Sequence, residues 1–267
     1  MSGRSRRARS TASLPVVASP TTVRSGRSVR STHLTMAFAI AAAVVLGALD
    51  TTSVAHHWAV MSAADRAGFD PVGDSFAGFQ LGELAFGVLG VLAISAEYGT
   101  GLIRSTLTAV PRRGVVFAAK AAVVGVLSLV LGELFAFVAF FLGQFMLAAG
   151  HLDVHLGDPG VLRAVLCGGL YLCTVTMVGV RPRRGHPHSA GAIAAMFALI
   201  YLAYGAARAV EGWSWLPDRL LLTNASLVLA QVHVPVGPRS PSIGLAAVDL
   251  VVYVVAALAL GRVAQLA

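Results

Sequence analysis

Three carboxylic acids, Glu83, Glu133 and Asp249, stand inside stretches that are otherwise apolar. An ionisable side chain in hydrocarbon costs about 2.5–3.5 kcal/mol even on lenient insertion scales. Each is therefore a candidate for a transport path or for a contact between helices. Glu133 is near the middle of its stretch and is expected to face the interior of a bundle or a dimer cleft. Glu83 is near the outer end of its own stretch and could snorkel to the surface. Asp249 lies a turn or two inside the last stretch. The competing reading is an acid that is protonated or hydrogen-bonded and only helps helices associate.

A second group of chemistry-bearing residues lies between two apolar stretches, from Glu97 to Arg113. The segment is polar and basic, and is patterned like a short helix. Thr100 can cap it, with Gly99 and Gly101 loosening the entry. Ile103 and Leu107, four apart, share one face. Pro111 stops the helix, because proline lacks the N–H and disfavours helix in the residue before it. Glu97 can accept from helix N–H groups, where the helix dipole favours an anion. Arg104, Arg112 and Arg113 can meet acids on a partner or lipid headgroups.

Other reactive residues form no constellation. His56 and His57 could bind a metal, but no third ligand stands at helical spacing. Cys167 and Cys173 lie six apart in an apolar run and read as small apolar residues, neither a disulfide nor a metal site. The chain lacks Gly-x-x-x-x-Gly-Lys-Ser/Thr, so ATP hydrolysis by this chain is not expected. It also lacks His-Glu-x-x-His and Gly-x-Ser-x-Gly. An intramembrane hydrolase using Glu or His is the one enzyme class left, and no residue pattern supports it.

The elements that must position these residues are membrane helices. The chain is 57% hydrophobic and 12% charged, about half the charge of a soluble domain. The expected fold class is all-α and polytopic, with about six transmembrane helices. Residues 1–33 hold seven arginines and no acid, a composition that cannot bury a core and predicts a disordered basic tail. The transmembrane domain is 34–267, with spans at about 34–55, 76–96, 115–149, 161–180, 190–207 and 243–263. Residues 115–149 exceed the roughly 20 needed to cross, so Lys120 is placed in the inner interface, where it snorkels. Gly78 and Gly82, with Gly87 and Gly90, are small residues that let helices pack closely. Residues 56–74 read as a polar outer loop. Residues 208–241, with Trp213, Trp215 and Pro217, read as an outer interfacial or re-entrant segment. Ser53-Val-Ala55 after a basic flank also fits a cleavable signal peptide.

Charge sets the orientation. The proposed inner segments carry fifteen basic residues and one acid, Glu97, while the outer side carries five basic residues and eight acids. The positive-inside bias places both termini in the cytoplasm. A net charge of +8 distributed this way does not indicate a nucleic-acid partner.

Glu97-Tyr98, Gly101-Leu-Ile-Arg-Ser-Thr-Leu107, Pro111-Arg-Arg113 and Lys120 together resemble the cytoplasmic segment of permease subunits of bacterial type-2 ABC exporters. The similarity runs from about Arg27 to the C-terminus and is strongest from Ala63 to Gly160. It implies that 97–113 is a coupling helix, with Glu97, Tyr98, Gly101, Leu102, Ile103, Arg104, Leu107, Pro111, Arg112 and Arg113 docking on a separate cytosolic ATPase. It implies pairing with a second copy or a homologous permease, no cofactor in this chain, and ATP on the partner subunit. Lipids, peptides, hydrophobic drugs and polysaccharide carriers are all substrates of the family. The alternative is a non-transporting membrane anchor or degenerate permease. Arg181-Pro-Arg-Arg-Gly-His-Pro-His188 departs from the family, whose fourth span continues in a Gly- and Leu-rich run. A compensated frameshift in a GC-rich gene is one explanation and an ordinary basic loop is the other. The coding nucleotides decide between them, since a shift requires that another frame restore an apolar run.

Overall fold

The computed structural model describes residues 25–100, 113–180, 191, 194, 197–202, 206, 229, 231–232 and 243–266. Residues 1–24, 101–112 and 181–190 and most of 203–242 lie outside it. So do the basic tail up to residue 24, half of the fifth span, most of the 208–241 segment and the Arg181–His188 departure. Among the described residues the chain is helical and has no strand.

Among the described residues seven α-helices carry the fold: α1 Ser25–His57, α2 Ala63–Ala67, α3 Pro71–Ser75, α4 Phe79–Thr100, α5 Arg113–Leu147, α6 Val161–Gly179 and α7 Ile243–Leu266. Three of the described segments are long and apolar enough to cross a membrane: Ala37–Val60, Ala118–Gly150 and Val161–Gly179. The chain is accordingly a membrane protein. Phe79–Ala93 and Gly244–Ala256 are shorter apolar helices. At 35 residues, α5 is about 52 Å long, well over the ~30 Å of bilayer hydrocarbon. Its first turns, which contain Lys120, therefore extend past the apolar layer if its outer end is level with it.

The loop expected over 56–74 holds two short capped helices. Ser62 accepts from the Asp65 N–H at 3.1 Å, and Asp70 Oδ1 accepts from the Val72 N–H at 3.1 Å. Pro71 occupies the first turn of α3, where its missing N–H has no helical partner to lose. The chain then turns through Phe76–Gly78, so α4 begins at Phe79. At its other end α4 runs through Thr100. Glu97–Thr100 continue the α4 hydrogen-bond ladder, and the short helix expected after Thr100 lies outside the described residues.

Helix directions follow from close contacts. A Cβ built on Gly82 of α4 would come within 2.9 Å of the Phe135 ring of α5. One on Gly132 of α5 would come within 2.7 Å of the Gly169 carbonyl of α6, and Gly125 faces Met177. Thus α5 and α6 are antiparallel. Phe79 of α4 meets Gly168, whereas Gly87 and Gly90 meet Gly179 and Thr176, so α4 and α6 run parallel. The Thr51 hydroxyl of α1 donates to the Asp74 carbonyl at 3.1 Å, and Gly47 abuts Gly78. On α7, Ala246 and Leu250 join the main core, while Val254 and Leu258 pack by Ala121, Val124, Met177 and Val180.

The main core is aromatic in the half nearer α3. Phe76 stacks on Phe79 with centroids 4.3 Å apart, and Phe79 meets Phe135 at 5.2 Å. Phe86, Phe140 and Leu172 are fully enclosed. In lipid such contacts stabilise by close van der Waals packing, not by removal from water. The glycines at Gly90 and Gly132 serve that packing by letting α4 and α5 approach the α6 backbone.

Candidate functional site

The sequence-derived candidates separate into three places. The first is the core between α4 and α6. Glu83 is 4% exposed there, so it does not snorkel: its helix face is the one that packs on α6. The Tyr171 hydroxyl donates to Glu83 Oε2. Tyr201, from a π-helical turn at Ala198–Leu202, brings its hydroxyl against the same carboxyl and donates to the Gln80 carbonyl at 2.9 Å. About one turn along, the Thr176 hydroxyl lies 3.2 Å from the Phe86 carbonyl and 3.0 Å from Leu172's. Polar atoms of α6 thereby bond the α4 helix at two levels.

The second place is the contact of α5 with α6. Glu133 is half-buried there and lies directly over Gly169, where a Cβ would fall 2.5 Å from the Glu133 carboxyl carbon. Its Oε2 is buried and has no hydrogen-bond partner among the described residues. Cys173, close by, accepts from the Ser128 hydroxyl at 3.4 Å. Cys167 and Cys173 are free thiols, as the apolar reading expects. Asp249 sits elsewhere, half-buried on α7, and the structure does not gather the three acids into one site.

The third place is the connection between α4 and α5. Glu97 and Tyr98 stand in the last turn of α4, and Arg113 is the first residue of α5. Gly101, Leu102, Ile103, Arg104, Leu107, Pro111 and Arg112 lie outside the described residues. The two helix ends that 101–112 joins are at the end of the bundle away from α3, since α3 docks on the far end of α5.

That far end carries polar contacts that the sequence reading missed. The Gln144 amide donates to the Pro71 carbonyl at 3.0 Å and the Ser75 hydroxyl at 2.9 Å, while its oxygen accepts from the Val154 N–H at 2.8 Å. Arg163 donates to the Leu229 and Gln231 carbonyls at 3.0 and 2.9 Å. Asp70 Oδ2 accepts from the Val232 N–H at 3.0 Å. The available signal was Gln144 itself, an uncharged polar residue in a long apolar run. Beside this junction, burial followed by repulsion from Asp70 and Asp50 pushes the Asp74 carboxyl up to about 6.

Ser53 Oγ lies 3.5 Å from His57 Nδ1, both exposed near the end of α1. His56 and His57 are exposed, and His57 Nδ1 lies 2.8 Å from the Ser53 carbonyl. Among the described residues no three His, Cys, Asp or Glu side chains come together as metal ligands. No family model, curated protein or solved structure matches the chain.

Proposed function

We propose that the chain is the permease subunit of an ATP-driven exporter of the type-2 ABC class. It docks a separate cytosolic ATPase through residues 97–113. The observation that carries this reading is the position of the motif. Glu97-Tyr98 ends one helix of the apolar bundle, Arg113 begins the next, and the Gly101–Arg112 motif is the whole connection between them. An inward-facing connection of that kind is continuous in sequence with both helices, so a partner docked on it would act on α4 and α5.

Charge supports the same arrangement. Asp65, Asp70, Asp74, Asp153 and Asp158 belong to the loops at one end of the bundle, and Arg104, Arg112 and Arg113 to the opposite connection. With basic residues retained inside, the 97–113 segment is cytoplasmic and both termini are cytoplasmic. Six spans complete this topology, with the fifth in about 190–207. The protein pairs with a second copy or a homologous permease, and substrate passes between the pair.

The test is co-expression with the nearest-encoded P-loop ATPase, followed by capture on this subunit. Capture of the ATPase by the wild-type chain and its loss in Glu97→Ala/Arg104→Ala is the expected result. Equal capture by both would remove 97–113 as the docking element. Capture without substrate-stimulated ATP hydrolysis in the reconstituted complex would favour a non-transporting anchor.

A further inference from the structure

We propose that Glu133 is a proton-binding site within the membrane and the selective target of apolar carbodiimides. The geometry is unusual for a carboxyl in a span. Its Oε2 is buried and has no hydrogen-bond partner among the described residues. The adjoining surface is apolar and faces outward: Val130 and Leu134 on α5, and Leu166 and Leu170 on α6, are all 43–60% exposed. Gly169 leaves the space that the carboxyl fills, since any larger side chain would collide with it. A carboxylate oxygen without a donor in hydrocarbon is costly to hold as an anion. A proton removes that charge without any other ligand.

Among the described residues no donor reaches Glu133 Oε2. The α6 helix presents the half-buried thiols Cys167 and Cys173, and Arg163 near its start is engaged by the Leu229 and Gln231 carbonyls. The α4 helix contributes Glu83, which Tyr171 already bonds. Glu133 also adjoins the Gly132–Gly169 backbone contact. Gain or loss of its proton therefore acts where α5 and α6 come closest.

The chemistry is specific to the protonated acid. The carboxyl O–H adds across one C=N bond of the carbodiimide. The carboxyl oxygen bonds the central carbon, and the proton passes to a ring-bearing nitrogen. The acyl group then shifts from that oxygen to nitrogen, leaving a stable N-acylurea with no leaving group. An apolar reagent such as dicyclohexylcarbodiimide reaches Glu133 from the bilayer.

The experiment uses the full chain in lipid nanodiscs at neutral pH, with peptide mass spectrometry. It needs no ATPase, so its outcome is separate from that of the docking test. The expected result is one reagent mass on the Glu133 peptide after dicyclohexylcarbodiimide and none on the Glu83 peptide. That adduct is lost in Glu133→Gln. A water-soluble carbodiimide with an amine nucleophile should modify the exposed Asp65 and Asp153 and leave Glu133 unmodified. An unmodified Glu133 with the apolar reagent overturns the proposal. So does modification of Glu133 by the water-soluble reagent as fast as Asp153, since that would mean an ordinary solvated carboxylate.

Discussion

The Tyr171 hydroxyl of α6 donates a hydrogen bond to the Glu83 carboxyl of α4, and each residue is only 4% exposed. Replacing Tyr171 with Phe leaves the carboxyl without that donor in a closed core. The expected cost is about 1–2 kcal/mol, as for other hydrogen bonds between membrane helices. Glu83→Gln keeps an acceptor oxygen and should cost less than Glu83→Ala. Unfolding of the purified chain in micelles with rising dodecyl sulfate measures all three. A Tyr171→Phe variant as stable as wild type would remove this pair as a helix contact.

Gly90→Ala should be among the most damaging single-methyl changes in the chain. The new Cβ would overlap the Thr176 carbonyl, a backbone atom that cannot rotate away. Overpacking of this kind costs about 1–3 kcal/mol. Gly244→Ala is the control, because no described residue lies within 4 Å of its Cβ position. The same unfolding assay should show a large loss at Gly90 and little change at Gly244.

Gln144→Ala removes three hydrogen bonds at once, to Pro71, Ser75 and Val154. Buried groups left without partners cost about 1–3 kcal/mol. The loss falls on the α3 turn and the loop after α5, so local opening should exceed global destabilisation. Limited proteolysis should cut residues 151–160 several times faster in the variant.

Asp74 makes stability depend on pH in an unusual direction. Its carboxyl rises from 3.8 to about 6 through burial and the neighbouring Asp70 and Asp50. Between those values the unfolded chain has lost the proton while the folded chain keeps it. The folded state binds more protons, so this group lowers stability as pH rises from about 4 to 6. Above that range the penalty is constant, and below it the penalty vanishes. Asp74→Asn should flatten this part of the profile and raise the unfolding midpoint at pH 7. An unchanged slope would show that Asp74 is solvated.

Much of the helical framework was legible because it depends on local composition. The span expected at 161–180 is α6, Val161–Gly179, and the long stretch at 115–149 is α5, Arg113–Leu147. The glycine spacing around Gly78–Gly90 likewise marks real close approaches to α1, α5 and α6. The partners of the polar residues were not legible. Glu83 and Tyr171 are 88 positions apart, and no periodicity links a residue on one helix to a residue on another. Glu83 does not snorkel for this reason: its rotation about α4 depends on α6, which encloses it. The helices α2 and α3 were missed because five-residue helices leave no periodic signal, although Ser62, Asp70 and Pro71 are start signals.

The Arg163 and Asp70 contacts also constrain how the chain is made. Asp70 waits for Val232, 162 residues later, and Arg163 for Leu229 and Gln231, 66 and 68 residues later. During synthesis both side chains are in place long before their backbone partners leave the ribosome. This junction is thus a late event in biogenesis, made after α4, α5 and α6 have been synthesised. A chain truncated before residue 229 would lack α7 and would leave Arg163 and Asp70 without these partners at that end of α4, α5 and α6, a distinguishing mark that quality-control proteases could read.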